Sequence, residues 1–185
     1  MKNKTIANPY LEELEPFMGD EGRLPRIMPK ERWELVRKYS WGIPDEKTIR
    51  AIAKYSPIVE WGAGSGYWAS MIAEAGGKIS AFDAEKWRTR YYPIGVTDDL
   101  NDMPPARTLL LVWPPYESPM AYNATVKHLS LGGEYVAYCG EGAGGCTADD
   151  QFHQLLASAF DEVERLMNPT WGALYDETTI HRRKR

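Results

Sequence analysis

Residues 57–85 read PIVEWGAGSGYWASMIAEAGGKISAFDAE, and the order of residue types along this stretch sets the architecture. The apolar run Ile58 to Trp61 is short enough for a buried strand. Three glycines follow at alternate positions, Gly62, Gly64 and Gly66. Tyr67 to Ala75 has the spacing of a helix, and Lys78 to Phe82 reads as a second strand that ends on Asp83. Glycines between a strand and a helix permit a tight turn and let a ligand approach the backbone. The free N–H groups at the helix start then face that ligand. A dinucleotide fingerprint, G-x-G-x-x-G, would need glycine at 67, where this chain has Tyr67. An NAD-dependent oxidoreductase is therefore disfavoured. The plainer alternative is a glycine turn that only packs a helix on a strand.

Outward from this stretch, strand and helix signals alternate. Strands are expected at Tyr92 to Val96, Thr108 to Trp113 and Glu134 to Cys139, and helices at Met120 to Leu129 and Thr147 to Phe160. Thr147 is the expected N-cap of the last helix, with Asp149 and Asp150 in its first turn. Two further strands, Glu162 to Met167 and Leu174 to Arg182, are joined around NPTWG without a helix and so fit an antiparallel pair. Upstream, PKERWELVRKYSW places Trp33, Val36 and Tyr39 at helical spacing. PDEKTIRAIAKYS reads as a helix capped by Asp45. Residues 1–40 are expected to form an N-terminal extension, irregular apart from one helix, ahead of an α/β domain over 41–185. Such alternation implies a mostly parallel sheet covered on both faces, with ligands outside the carboxyl ends of its strands.

Composition allows one domain. Its 185 residues are 43% hydrophobic and 26% charged, enough apolar material for one core. The net charge of −4 gives no general attraction to nucleic acid. No apolar stretch approaches the roughly 20 residues that span a bilayer, and the first residues lack a signal-peptide core, so a cytoplasmic protein without membrane contact is expected. Cys139 and Cys146 match no metal or redox spacing and are expected to be free thiols. The three histidines are scattered, so no built-in metal site is expected.

Asp83 stands 21 residues after Gly62, where a carboxylate can accept both hydroxyl hydrogens of a ribose. Its alternative is a solvated strand-end acid. A second stretch, TLLLVWPPYESPMA (108–121), ends the clearest strand in the chain. Beyond the following strand, YCGEGAGGCTADD offers Glu141 as an acid or base and Cys146 as a nucleophile, on a loop that is equally readable as a glycine lid.

EWGAGSG (60–66), the Asp83 acid, VWPPY (112–116) and the final hairpin together resemble the class I S-adenosylmethionine-dependent methyltransferases, over about Trp41 to Arg185. The resemblance implies a three-layer Rossmann-like fold: a mostly parallel seven-stranded sheet with a C-terminal antiparallel hairpin. It implies S-adenosylmethionine as cofactor, held by Glu60, Gly62, Gly64 and Gly66, with Asp83 on the ribose, Asp98 or Asp99 toward the adenine, and Trp41 over the methionine end. Trp41 reads equally as a core residue.

VWPPY resembles the [Asp/Asn/Ser]-Pro-Pro-aromatic motif of methyltransferases that act on planar amino groups. In that motif the first residue accepts a hydrogen bond from the target, the prolines aim carbonyls into the pocket, and the aromatic stacks on the target. Pro114, Pro115 and Tyr116 keep the pattern. Trp113 departs from it, because an indole N–H only donates. Three readings follow. The proline carbonyls and Glu141 orient the acceptor, Trp113 walls a different acceptor, or the chain binds cofactor without transferring methyl. The expected function is methyl transfer to a planar nitrogen in a nucleic acid base, a protein side chain or a small molecule. A non-catalytic binding protein is the alternative. The tail HRRKR (181–185) is a candidate phosphate contact, or a solvated end. A homodimer is compatible with the size of the chain.

Overall fold

A computed structural model describes residues 5–19, 24 and 29–185. Seven strands form one sheet: β1 (Ile58–Trp61), β2 (Ile79–Asp83), β3 (Ile94–Val96), β4 (Thr108–Val112), β5 (Tyr135–Gly140), β6 (Phe160–Met167) and β7 (Glu177–Arg183). Their order is β3-β2-β1-β4-β5-β7-β6. The first five are parallel, and β7 runs antiparallel between β5 and β6. This is the expected three-layer architecture. The direction of strand winding reverses between β1 and β4, which opens a crevice beyond their carboxyl ends.

Side-chain alternation divides the core. From β4, Leu110 enters one cluster, with Ile49 and Ile52 of α3 (Glu46–Ala53) and Trp68 and Ile72 of α4 (Tyr67–Glu74). Leu109 and Leu111 enter the opposite cluster, with Ala121 and Ala124 of α5 (Met120–Ser130) and Phe152 and Leu156 of α6 (Asp150–Ala159). Asp45 caps α3 as expected, accepting from the Thr48 amide at 2.7 Å.

Three details differ from the sequence reading. Thr147 does not cap α6; Asp149 does, accepting from the Phe152 amide at 2.9 Å. Ala148 takes a left-handed φ of 60°, which ends any helix that started before it. The Thr147 hydroxyl is buried instead, against the Tyr138 hydroxyl at 2.6 Å and the Glu141 amide at 2.9 Å. The hairpin's second strand starts at Glu177 rather than Leu174, leaving a loop that buries Trp171 and Asp176.

The third difference is at the start of the chain. In place of irregular chain it carries α1 (Pro9–Leu14) and a 3-10 turn, Glu15–Phe17, before α2 (Pro29–Lys38). Tyr10 and Leu14 are fully buried in the same cluster as Ile58. The expected irregularity elsewhere in the first 30 residues falls on 1–4, 20–23 and 25–28, outside the described residues. The packing also accounts for Tyr67. Its hydroxyl donates to Asn8 Oδ1 at 2.9 Å and accepts from the Tyr10 amide at 3.2 Å, so the side chain that breaks the dinucleotide pattern holds the N-terminal helix.

Candidate active site

A cavity of about 590 Å³ opens at the β1/β4 switch point. Its floor is the glycine turn. Gly62 and Gly64 have φ of 79° and 58°, a region that side chains strain to adopt. Ser65 donates to the Tyr39 carbonyl, tying the chain before α3 across the turn. Tyr39, Ser40 and Trp41 consequently form one wall.

Glu60, at the end of β1, is 1% exposed. Gly66 is the N-cap of α4 and has no side chain to satisfy the first-turn amides. The Ala69 amide donates to Glu60 instead. The other oxygen, Oε2, is buried without a partner. Burial above all, and then the nearby charge of Asp83, push the Glu60 carboxyl up to about 8.

Asp83 braces the turn from β2. Its Oδ2 accepts from the Gly64 amide at 2.7 Å, and its Oδ1 from the Glu85 amide at 2.8 Å and the Trp87 indole at 3.3 Å. The Trp87 ring lies against Gly64, 3.5 Å from where a Cβ would stand. Thr97 and Asp98 line the cavity beyond β3. The cavity thus gathers Trp41, Glu60, Gly62, Gly64, Asp83, Asp98, Trp113 and Pro115 from the sequence-derived set.

Four members of that set lie elsewhere. Gly66 faces away: a Cβ there would sit 2.9 Å from Tyr92 Cβ, so this glycine serves packing. Pro114 is buried, and its carbonyl accepts from the Ala148 amide at 3.0 Å. Tyr116 is 60% exposed and borders a separate hollow with Gly144 and Asp149. Glu141 is a loop brace. Its two oxygens accept from the amides of Cys146 at 2.8 Å and Tyr175 at 2.9 Å. Burial opposes its charge, but these donors overcome burial and hold its carboxyl below the usual range. Burial and the Glu141 charge push the Cys146 thiol up to about 11, the reverse of an activated nucleophile.

At the end of β4, Trp113 has φ of 50°, a left-handed conformation for a bulky residue. Its backbone N–H still pairs with the Cys139 carbonyl, while its ring turns into the cavity wall. There it stacks on Trp41, with centroids 5.1 Å apart and planes 12° apart. Trp33 meets Trp41 edge-on, and Arg32 lies 5.6 Å above the Trp41 ring. Behind the stack is Asp176, 1% exposed. Neither its Oδ1 nor the Trp113 indole nitrogen has a partner in good hydrogen-bonding geometry. The N–H dipole nonetheless favours the charged acid. Burial and the charge of Glu141 outweigh that help and that of Thr170 and Arg32, raising Asp176 to about 6.

Sequence reasoning missed Trp87, Asn123 and Asp176. Trp87 carried a faint signal, following Asp83 by one helical turn's spacing in DAEKW. Asp176 carried none. The basic tail lies by the amino ends of the parallel strands: Arg182 pairs with Tyr135, the first residue of β5, whereas the cavity is at their carboxyl ends. Among the described residues, no group of three or more His, Cys, Asp and Glu could hold a metal ion, and no helix is long and apolar enough to cross a membrane. Cys139 and Cys146 are free.

This strand order, with a ligand-sized crevice at the switch point, defines a Rossmann-like fold of the methyltransferase type. Solved structures share it. The magnesium protoporphyrin IX methyltransferase of Synechocystis PCC 6803 with bound SAM (S-adenosylmethionine) aligns with a TM-score of 0.56 at 14% identity, over 98% of this chain and 100% of that one. The N-methyltransferase NodS of Bradyrhizobium japonicum WM9 in complex with SAH (S-adenosylhomocysteine) aligns at 0.56 and 13%, over 97% and 100%. The 1,6-didemethyltoxoflavin-N1-methyltransferase of Burkholderia thailandensis aligns at 0.52 and 18%, over 87% and 92%. No family model and no curated protein matches the sequence.

Proposed function

We propose that the protein is a methyltransferase that uses S-adenosylmethionine and acts on a planar nitrogen acceptor. One observation carries this reading: the glycine turn, Asp83 and Asp98 meet an aromatic wall in a single cavity at the switch point. The residues fit the cofactor. Glu60 lines the cavity and keeps one buried oxygen, Oε2, without a partner, the kind of acceptor that an ammonium or sulfonium would draw on. A carboxylate has about four acceptor positions, and Asp83 uses three, the Trp87 indole holding the longest at 3.3 Å. A ribose diol would take the free position and displace Trp87. Asp98 and Thr97 stand where the adenine edge would lie.

Methyl transfer from a sulfonium asks mainly for alignment of donor and acceptor. The chain's part is to fix the donor over the glycine turn and to hold the acceptor against Trp113. When bound, the cofactor supplies the electrophilic methyl group. Calorimetric titration with S-adenosylmethionine and S-adenosylhomocysteine tests the reading. Folded protein that binds neither would end it.

The non-catalytic alternative rests on one observation, that the Pro114 and Pro115 carbonyls and Glu141 are all engaged by backbone amides. Transfer of a labelled methyl group to any acceptor, lost in Asp83→Ala, would remove it.

A further inference from the structure

Trp113 holds a backbone conformation that something must fix. A left-handed φ of 50° is costly for a side chain of that bulk. The bond from its amide to the Cys139 carbonyl fixes the strand end, and the stack on Trp41 fixes one face of the ring. A stacked pair accepts a range of offsets. Neither contact therefore decides where the polar edge of the indole points.

That edge meets Asp176, whose charged form the Trp113 N–H favours. Asp176 stands in the loop before β7 and is 1% exposed. A carboxylate has about four acceptor positions. Among the described residues Asp176 accepts from the Thr170 hydroxyl alone, at 3.4 Å, and that hydroxyl has the Trp171 carbonyl as a rival acceptor at 3.4 Å. Asp176 Oδ1 is buried without a partner, and so is Trp113 Nε1. A buried donor thus neighbours a buried acceptor, each lacking a partner. Leaving both open costs more than closing them on each other.

The surroundings isolate this acid. Arg32 of α2 lies 5.6 Å from the Trp41 ring centroid and 5.5 Å from that of Trp171, and its positive charge favours the Asp176 anion. Burial and the charge of Glu141 oppose that anion and raise Asp176 to about 6. The Glu141 carboxyl is itself held below the usual range. Burial pushes the Cys146 thiol up to about 11, and Cys139, Tyr10 and Tyr138 higher still. Asp176 is the member of this cluster that changes charge near pH 6.

We infer that Asp176 is the positioning residue of the aromatic wall: its Oδ1 takes the Trp113 indole N–H and fixes the ring edge, so the loop before β7 sets the shape of the cavity on its β4 side. The importance of this wall for a ligand rests on the methyltransferase reading, whereas the Asp176–Trp113 bond itself needs no ligand. Protonation of Asp176 weakens the bond, so the hold is full above pH 6 and fades below it.

The test separates the two levels. Titration with S-adenosylhomocysteine checks the cofactor site alone, and failure there ends the methyltransferase reading. The bond is read in the ligand-free chain. In nitrogen-15-labelled protein, the Trp113 indole N–H resonance, assigned by its absence from Trp113→Phe, should follow one titration with a midpoint of about 6. Asp176→Asn, which keeps an oxygen acceptor without the charge change, should flatten that titration. Glu141→Gln should lower its midpoint without removing it, because the Glu141 charge raises Asp176. Urea unfolding at about pH 7.5 completes a double-mutant cycle. Asp176→Leu should lower the folding equilibrium constant at least about tenfold more with Trp113 present than in Trp113→Phe, for one charge-assisted hydrogen bond. A role confined to the loop, through Thr170, would cost the same in both backgrounds. Where Asp176→Leu does not fold, the Asp176→Asn titration decides. The inference is overturned by an indole resonance that ignores pH between about 5 and 7, by a titration that survives Asp176→Asn, or by a coupling under about twofold in the cycle.

Discussion

The two halves of the cavity are built by opposite means. On the β1–β2 side the backbone makes the surface: glycines with left-handed φ, braced by Asp83 and Glu60 from adjacent strand ends. On the β4 side the surface is side chain, a Trp41–Trp113 stack held by a strained Trp113 backbone. The first half lines the cavity with acids; the second lines it with aromatic rings, and its nearest charges, Arg32 and Asp176, are not among the lining residues. Fixed dipoles and acids suit a ligand of constant structure, and a neutral aromatic wall suits a variable one. The contrast sets two kinds of ligand surface, backbone and aromatic side chain, within one cavity.

Four measurements would break or sharpen this contrast. The largest effect is expected at Glu60. Its folded pKa of about 8 stands above the ordinary carboxylate value of 4.5, so the folded chain holds a proton that the unfolded chain releases. Stability should therefore fall as pH rises from about 4.5 and level off above 8, by on the order of 5 kcal/mol. Glu60→Gln should flatten that slope in urea melts between pH 5 and 9. Asp176, raised from 3.8 to about 6, adds a fall of the same sign below pH 6 that Glu60→Gln leaves in place. If binding of S-adenosylmethionine at pH 7 then releases a proton, the calorimetric enthalpy will vary with buffer ionisation enthalpy in the wild type and not in Glu60→Gln.

Next, Asp83→Ala should weaken S-adenosylhomocysteine binding about a hundredfold, since it removes charged hydrogen bonds worth roughly 1.5–3 kcal/mol each. A loss under tenfold would mean that the β2 acid is not the ribose ligand. Third, Gly66→Ala should destabilise the fold by about 2 kcal/mol, because φ is 74° and the new methyl would meet Tyr92 at 2.9 Å. Affinity in the surviving folded fraction should be unchanged, which would set Gly66 apart from Gly62 and Gly64. The smallest effect belongs to Glu141→Gln. It keeps an oxygen for one loop amide and should cost about 1 kcal/mol of stability. It should leave methyl transfer within about twofold; a hundredfold loss of turnover would return Glu141 to the chemistry.

Legibility followed sequence distance. The β1–α4–β2 unit was readable because its strand, glycine turn and acid are near neighbours, each with a local physical signature. Asp45 and the final hairpin were readable for the same reason. Glu141 and Cys146 misled because a glycine-rich loop looks like a site edge, whereas both side chains are absorbed in bracing it. Asp176 lies behind Trp113, 63 residues away in sequence, a relation that no local pattern encodes.

The docking of Asn8 and Tyr10 on Tyr67 has a further consequence. Tyr39 is shared: its ring stacks on Tyr10 at 4.8 Å, while the same residue lines the cavity and its carbonyl receives Ser65 from the glycine turn. Peeling the first helix away would loosen that wall and so weaken any ligand resting on it. By thermodynamic reciprocity, a ligand in the cavity must clamp the first helix down. The opening segment would then act as a reporter of occupancy, its amides exchanging with deuterium more slowly when the cavity is filled.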